Sequence, residues 1–159
     1  FDPLPYRDWG KTKEIVMAEF NEKAMRAFND KLIDEFRANG GKALSGPFVN
    51  APLLLLTTTG AKSGKPITTP LVYTRDGARI VIIASKGGFP THPAWYHNLK
   101  ANPTVTLEVG TQKFQAKATI TTDPERQRLF DAQAKVMPTF NDYQKATTRQ
   151  IPVIVLEPK

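Results

Sequence analysis

The chain has 159 residues, 22 of them Lys or Arg against 15 Asp or Glu, a net charge of +7, and no cysteine. That length favours one domain with a real core, burying about 70% of the surface its unfolded chain exposes. The lack of Cys excludes disulfides, thiolate nucleophiles and Cys-held metals, while the cationic surplus asks for an anionic partner: nucleic acid, a phosphorylated or carboxylated cofactor, or an acidic membrane surface. The basic residues form no single block, and no RNP-type aromatic motif or zinc-finger spacing occurs, so no nucleic-acid partner is expected. No apolar run approaches the ~20 residues of a membrane-spanning helix. No signal peptide is visible and the cytoplasm is the expected compartment, although a chain opening at Phe1 leaves room for a missing upstream segment.

Residues 1–12, FDPLPYRDWGKT, read as an arm. Residues 13–39 are the clearest helix: Val16, Phe20, Ala24, Phe28, Leu32 and Phe36 recur every fourth position, with Met17, Met25 and Ile33 beside them. Gly40 and Gly41 end it. Such a stripe fits a helix packed on its own core. A helix resting on a membrane is the alternative, and it would make the protein membrane-associated, although the polar side is mixed in charge. Residues 1–39 are read as an N-terminal arm and helix, and residues 40–159 as the body of the same domain.

LLLLTT at 53–58 is a short apolar run of the buried-strand kind. It runs into TTTGAKSGKP (57–66), which almost matches the phosphate-binding loop of ATPases. The match fails because the loop is one residue short, Pro66 stands where Ser or Thr should reach magnesium, and a strand-prone stretch follows instead of a helix. What survives is a basic glycine turn able to aim N–H groups, with Lys62 and Lys65, at one anion.

Ile67–Thr74 is the second strand, with Pro70 marking an edge or bulge. Asp76-Gly77 turns the chain into RIVIIAS (79–85). SKGGFPTHP (85–93) is loop, and AWYHNLKAN (94–102) is a short helix closed by Asn102-Pro103. TVTLEV (104–109) and KFQAKATITT (113–122) alternate as a hairpin. Asp123-Pro124-Glu125 reads as an N-cap, a proline and an acidic first turn, opening a helix to about Val136. A further short helix covers 139–148, and IPVIVLEP (151–158) is the last strand. Six strands joined mostly by short turns must be antiparallel, and a small closed or split β-barrel with helices hides their edges.

Templates that need their own reactive residues mostly fail. His92 and His97 straddle Pro93 with no carboxylate between them, so no metal site is expected. No G-x-S-x-G elbow exists. A cofactor could still bring the reactivity. Three segments can build its site: the turn Gly60–Lys65, the strand end and loop Ala84-Ser85-Lys86-Gly87-Gly88, and the helix at 93–99, where Trp95, Asn98 and Leu99 share a face.

In these stretches, and in PTFNDYQKATTRQIPVIVLEP near the end, the chain resembles the deazaflavin-dependent nitroreductase/quinone reductase family of actinobacteria, within the flavin/deazaflavin oxidoreductase superfamily. The likeness runs in order from about residue 50 to 158. It implies a six-stranded antiparallel split barrel of the FMN-binding, pyridoxamine-phosphate-oxidase-like type, with reduced coenzyme F420 as hydride donor.

By that resemblance Lys62, Ser63 and Gly64 match the turn that holds the cofactor's phosphate and acidic tail, and Pro70 and Leu71 the strand beside its ring. Ala84, Ser85, Lys86 and Gly87 match the loop whose amides and lysine meet ring and tail. Trp95 and Asn98 match the W-Y-x-N helix. Three tyrosines over the substrate pocket of the best-known member correspond here to Met137, Phe140 and Tyr143, so only Tyr143 keeps a hydroxyl to position an acceptor or supply a proton. That lining suits an apolar planar acceptor such as a quinone better than a nitroimidazole. Ile67 stands where a basic residue is often found, which implies a weaker grip on the tail. The competing readings are a binding protein without turnover, carrying a flavin, tetrapyrrole or lipid, and an enzyme using ordinary FMN. Oligomeric state is left open.

Overall fold

In the computed structural model the described residues are 24–44, 46 and 48–159. Helix α1 (Met25–Ala38) precedes strands β1 (Leu53–Thr59), β2 (Pro66–Val72), β3 (Thr74–Asp76) and β4 (Arg79–Ile83). Then come a 3-10 turn (Lys86–Gly88), helix α2 (Ala94–Ala101), the hairpin β5 (Thr104–Val109) and β6 (Gln112–Ile120), helices α3 (Glu125–Val136) and α4 (Thr139–Lys145), and β7 (Val153–Pro158).

Every strand pairing is antiparallel, in the order β2-β1-β5-β6-β7-β4-β3. The sheet has seven strands where six were expected, because the strand read over 67–74 is broken. Its first part pairs with β1, and its last part pairs with β4 at the opposite end of the sheet. Tyr73 alone lies between them, its N–H donating to the Pro52 carbonyl at 3.0 Å. One bent strand thus supplies both ends of the order, which curls the sheet into the split barrel that the pattern of turns predicted. Pro70 sits opposite Leu55 on β2, an edge strand, where a missing N–H costs no ladder bond.

The barrel is filled by one face of each strand: Leu54 and Leu56, Ile80 and Ile82, Val105 and Leu107, Ile154 and Leu156. The opposite faces are covered as well. Leu53 and Leu55 pack with Leu32, Ile33 and Phe36 of α1. Val81, Ile83, Val153 and Val155 pack with Leu129, Phe130 and Ala134 of α3 and Phe140 and Tyr143 of α4. Burial on both sides explains why these strands read as apolar runs instead of alternating. Each fully buried Leu or Ile contributes about 1.5–3 kcal/mol relative to exposure.

Helix α1 buries the C-terminal half of the predicted stripe, and Arg37 ties it to β5 by a bidentate pair with Glu108 (3.0 and 2.9 Å). Val16, Met17 and Phe20, and with them the membrane-contact alternative, lie outside the described residues. No described helix is long and apolar enough to cross a membrane. Asp123 does not cap α3, as the sequence had suggested. Its carboxylate accepts instead from Arg126 Nε (2.9 Å) and Gln150 Nε2 (2.9 Å), and the helix starts without a side-chain cap. Arg126, almost fully buried, donates onward to the Ile151 carbonyl, so its competition for Asp123 anchors the approach to β7.

Candidate active site

A cleft of about 340 Å³ opens between the edge strand β2, the end of β4 and the start of α2. Its volume is in the range of small-molecule pockets. Pro70, Leu71 and Val72 form one wall, Ala94 and Trp95 another, and Ile83 and Phe140 the base. Phe28 of α1 and Phe48 of the following loop close a further side. Ser85, Lys86 and Gly87 line its polar end, and Lys86 is its only ionisable lining residue among the described residues. No Asp, Glu or His reaches the cleft among the described residues, so it is apolar with a cationic end.

The polar end has an unusual backbone. Ser85 is right-handed helical (φ −77°, ψ −38°), and the next three residues have positive φ: Lys86 47°, Gly87 62° and Gly88 79°. A lysine there is uncommon and costs of order 1–3 kcal/mol. Gly88 is required by packing too, since a Cβ on it would lie 2.7 Å from the Tyr143 carbonyl and 2.8 Å from Ala146 Cβ. Helix α4 therefore presses on this loop. The Lys86 ammonium donates to Thr91 Oγ1 at 3.2 Å and sits 4.8 Å from the centre of the Phe89 ring. Burial, and then the charge of Arg149, pushes its pKa below the ordinary lysine value.

The basic turn Gly60–Lys65 is solvent-exposed apart from Gly60, and it is tethered to the cleft through α2. Asn98 lies one helical turn beyond Trp95. Its Oδ1 accepts from the Ala61 N–H at 2.9 Å, and its Nδ2 donates to Thr58 Oγ1 at 3.1 Å. Asn98 is buried, and its amide is spent on holding the turn rather than offered to a ligand. The turn's own amides are also mostly committed. Gly60 donates to the Lys65 carbonyl, Gly64 to the Gly60 carbonyl, and Lys65 to Ser63 Oγ. The amides of Lys62 and Ser63 alone in this turn make no hydrogen bond among the described residues. Lys62, Ser63, Gly64 and Lys65 do not line the cleft itself, although Ile67, two residues on, does.

The cleft therefore brings together Pro70, Leu71, Ser85, Lys86, Gly87, Trp95 and Phe140 of the residues read from the sequence. Ala84 is fully buried behind Ser85. Tyr143 and Met137 do not reach the cleft. Tyr143 is buried beside Phe140 (ring centres 5.4 Å apart, edge to face), and Met137 packs on the same outer-face core. Helical spacing alone could not tell which of the three substrate-pocket positions faces inward.

Sequence reading missed Arg149. Its Nε donates to the Phe89 carbonyl (2.9 Å), Nη1 to the Ala84 carbonyl (3.1 Å) and Nη2 to the Ser85 carbonyl (2.7 Å). Nη1 also lies 3.0 Å from His92 Nδ1, which must accept there, since a guanidinium only donates. Burial, and then the Arg149 charge, lowers the His92 pKa, so this ring is held neutral. Nothing local marked Arg149: it stands in the polar stretch TTRQ, more than 60 residues from the loop it binds.

Among the described residues no three His, Cys, Asp or Glu side chains gather as a metal site.

A family model described as F420H(2)-dependent quinone reductase matches residues 29–158. The F420H(2)-dependent quinone reductase Rv1261c of Mycobacterium tuberculosis strain H37Rv is 49% identical over 108 residues, 66% of this chain and 72% of that protein. A solved structure described as an F420-H2 dependent reductase (FDR-A) is 40% identical, covers 67% of this chain and 94% of its own, and superposes with a TM-score of 0.62. Another, described as a domain-swapped dimer, is 32% identical over 89% of this chain and 99% of its own, with a TM-score of 0.64.

Proposed function

The chain belongs to the F420H(2)-dependent quinone reductase family, and from that premise we propose that its cleft holds the ring of reduced coenzyme F420 beside a quinone acceptor. The observation that carries this is the cleft's division of labour: apolar walls for flat rings, one buried-edge cation at Lys86, and a lysine-bearing turn tethered a helical turn away by Asn98. The residues present fit the group. Trp95 and the Pro70-Leu71 segment offer flat and apolar contact for a ring. The amides of Ser85, Lys86 and Gly87, which make no hydrogen bond among the described residues, offer donors to its polar edge. Lys62, Lys65 and the amides of Lys62 and Ser63, on the turn that Asn98 holds, are the donors assigned to the acidic tail.

When bound, reduced F420 supplies a hydride, and a quinone that accepts it with one proton becomes the hydroquinone. The chain's own part is to stack the two rings, exclude water along the apolar walls and hold the anionic tail. Phe140 is the acceptor-side contact, because it lines the cleft. Tyr143 stands behind it and acts by supporting that ring, so the proton comes from solvent at the cleft mouth.

The test is to mix the protein with reduced F420 and menadione and follow the visible absorbance of oxidised F420. Oxidation faster than in a protein-free control supports the reductase. Binding without oxidation supports a carrier. A parallel titration with FMN in place of F420 tests the flavin alternative, and tighter binding of FMN would overturn the cofactor assignment.

A further inference from the structure

We infer that Arg149 is a positioning residue that builds and polarises the anion-accepting end of the cleft, acting through the peptide groups of Ser85 and Lys86. This rests on the F420 reading above and goes beyond it, since Arg149 does not itself line the cleft.

The geometry begins with the loop. A residue in the right-handed helical region followed by one in the left-handed region turns three successive N–H groups toward one point. Ser85 (φ −77°) and Lys86 (φ 47°) are such a pair. The converging donors are then the amides of Ser85, Lys86 and Gly87. None of the three makes a hydrogen bond among the described residues, whereas the neighbouring amides of Ala84, Gly88 and Phe89 all do. Three consecutive unpaired donors at the polar end of a ligand-sized cleft are donors waiting for an acceptor.

Arg149 explains how this arrangement persists. In a trans peptide the C=O and N–H point in opposite directions. The guanidinium holds the carbonyls of Ala84 and Ser85, so the N–H groups of Ser85 and Lys86 are turned away from it, toward the side on which Ser85, Lys86 and Gly87 line the cleft. Its third bond, to the Phe89 carbonyl, closes the far end of the loop. The fork geometry matters because one planar group reaches three carbonyls at once.

The charge matters separately. Arg149 pairs with no carboxylate among the described residues, and its partners are neutral carbonyls and a neutral imidazole. A cation bonded to a carbonyl draws electron density along the peptide and makes the N–H at its other end a stronger donor. A purely structural clamp would not need an unneutralised charge. The ligand chemistry this favours is a carbonyl or anionic nitrogen at the ring's polar edge.

The experiment uses the full chain labelled with ¹⁵N. In the native protein, saturation with oxidised F420 is expected to shift the amide resonances of Ser85, Lys86 and Gly87. It is also expected to slow exchange of the Arg149 Nε–H by about fivefold or more, because binding at the amides and clamping of the carbonyls reinforce each other reciprocally. Arg149→Lys keeps the charge and loses the fork. Arg149→Gln loses both charge and fork. Both are expected to raise the Kd for F420 and the KM for reduced F420, by about tenfold for Lys and more for Gln, with the KM for menadione unchanged. If either variant fails to fold, the native-protein exchange measurement decides alone. An Nε–H exchange rate indifferent to F420, or a folded Arg149→Gln protein with native Kd, overturns the inference while leaving the F420 reading intact. Failure of the native protein to bind F420 instead overturns the reading on which it rests.

Discussion

Asn98 carries the basic turn: its side-chain oxygen receives the Ala61 N–H at 2.9 Å, while Trp95, one turn earlier on the same helix, lines the cleft. Two elements far apart in sequence are thereby fixed to one short helix, and the spacing between the basic turn and the cleft becomes a property of α2.

Replacing Asn98 by Ala should therefore act on stability and on binding together. The Thr58 hydroxyl and Ala61 amide lose their partner, at a cost of about 1–3 kcal/mol. Thermal unfolding should show the loss, and F420 titration should show affinity about tenfold weaker as the Lys62 turn drifts. A destabilised protein with native affinity would remove the turn from the site.

Lys86→Ala removes the one ionisable residue that lines the cleft among the described residues. A charge-assisted contact of about 1.5–3 kcal/mol predicts a Kd for F420 raised roughly 10- to 100-fold, with kcat at saturating cofactor changed by less than about threefold. Burial and Arg149 lower this lysine's pKa below its ordinary 10.5, so the cation is lost earlier as pH rises. Native affinity should accordingly decline on the alkaline side before pH 10.5, and the variant's should not.

Gly88→Ala meets both a positive φ of 79° and a clash with the Tyr143 carbonyl. Gly77, with φ 62° and open space around it, isolates the backbone term. Gly77→Ala should cost about 1–2 kcal/mol, and Gly88→Ala should cost about 1–3 kcal/mol more, because α4 must move. Denaturant unfolding of the two variants measures the difference. Equal losses would mean that α4 does not press on the loop.

His92 makes the loop sensitive to acid. Burial and the charges of Arg149, His97 and Lys100 depress its pKa in the folded protein below 6.5. The unfolded chain then binds the proton more readily, so the contribution to stability is present above pH 6.5 and is lost as pH falls through the folded value. The melting temperature should fall between pH 7 and about 5, and His92→Gln, which keeps an acceptor for Arg149, should flatten that slope. Asp76, held at about 2 by hydrogen bonds from Arg128 and Arg79, adds its own loss only in far stronger acid.

Phe140→Leu keeps an apolar side chain at the base of the cleft while removing the flat ring. The expected result is a KM for menadione raised severalfold, a Kd for F420 within about threefold of native, and a stability loss of about 1–1.5 kcal/mol. Tyr143→Phe should leave the rate at pH 7 within about twofold if solvent supplies the proton, as proposed; a loss near 100-fold, typical of a removed general acid, would return that role to the tyrosine.

Local signals carried the elements well. Doubly apolar runs such as LLLL at 53–56 and the Asp76-Gly77 turn depend on neighbours a few residues away, and their strands and hairpin stand where expected. Two readings failed for want of distant information. Nothing near Tyr73 says that the chain must there change partners from β1 to β4. Nothing near Asp123 says that Arg126 and Gln150 will claim its carboxylate. Of Met137, Phe140 and Tyr143, which the resemblance placed over the substrate pocket, Phe140 lines the cleft and the other two pack in the core behind it.

From its residues alone this chain could be read as an antiparallel barrel, because strands and hairpins depend on periodicity and turn chemistry, and the resemblance of its contiguous motifs pointed to the F420-dependent family. Folding decided which donors remain free. Asn98 is consumed by the turn it supports, Tyr143 is buried, and the amides of Ser85, Lys86 and Gly87 make no hydrogen bond among the described residues while Arg149, more than 60 residues away, holds the carbonyls of Ala84 and Ser85. Hydrogen-bond capacity is shared among groups that only the closed barrel brings within 3 Å or so of one another, and that sharing is invisible until the chain is folded.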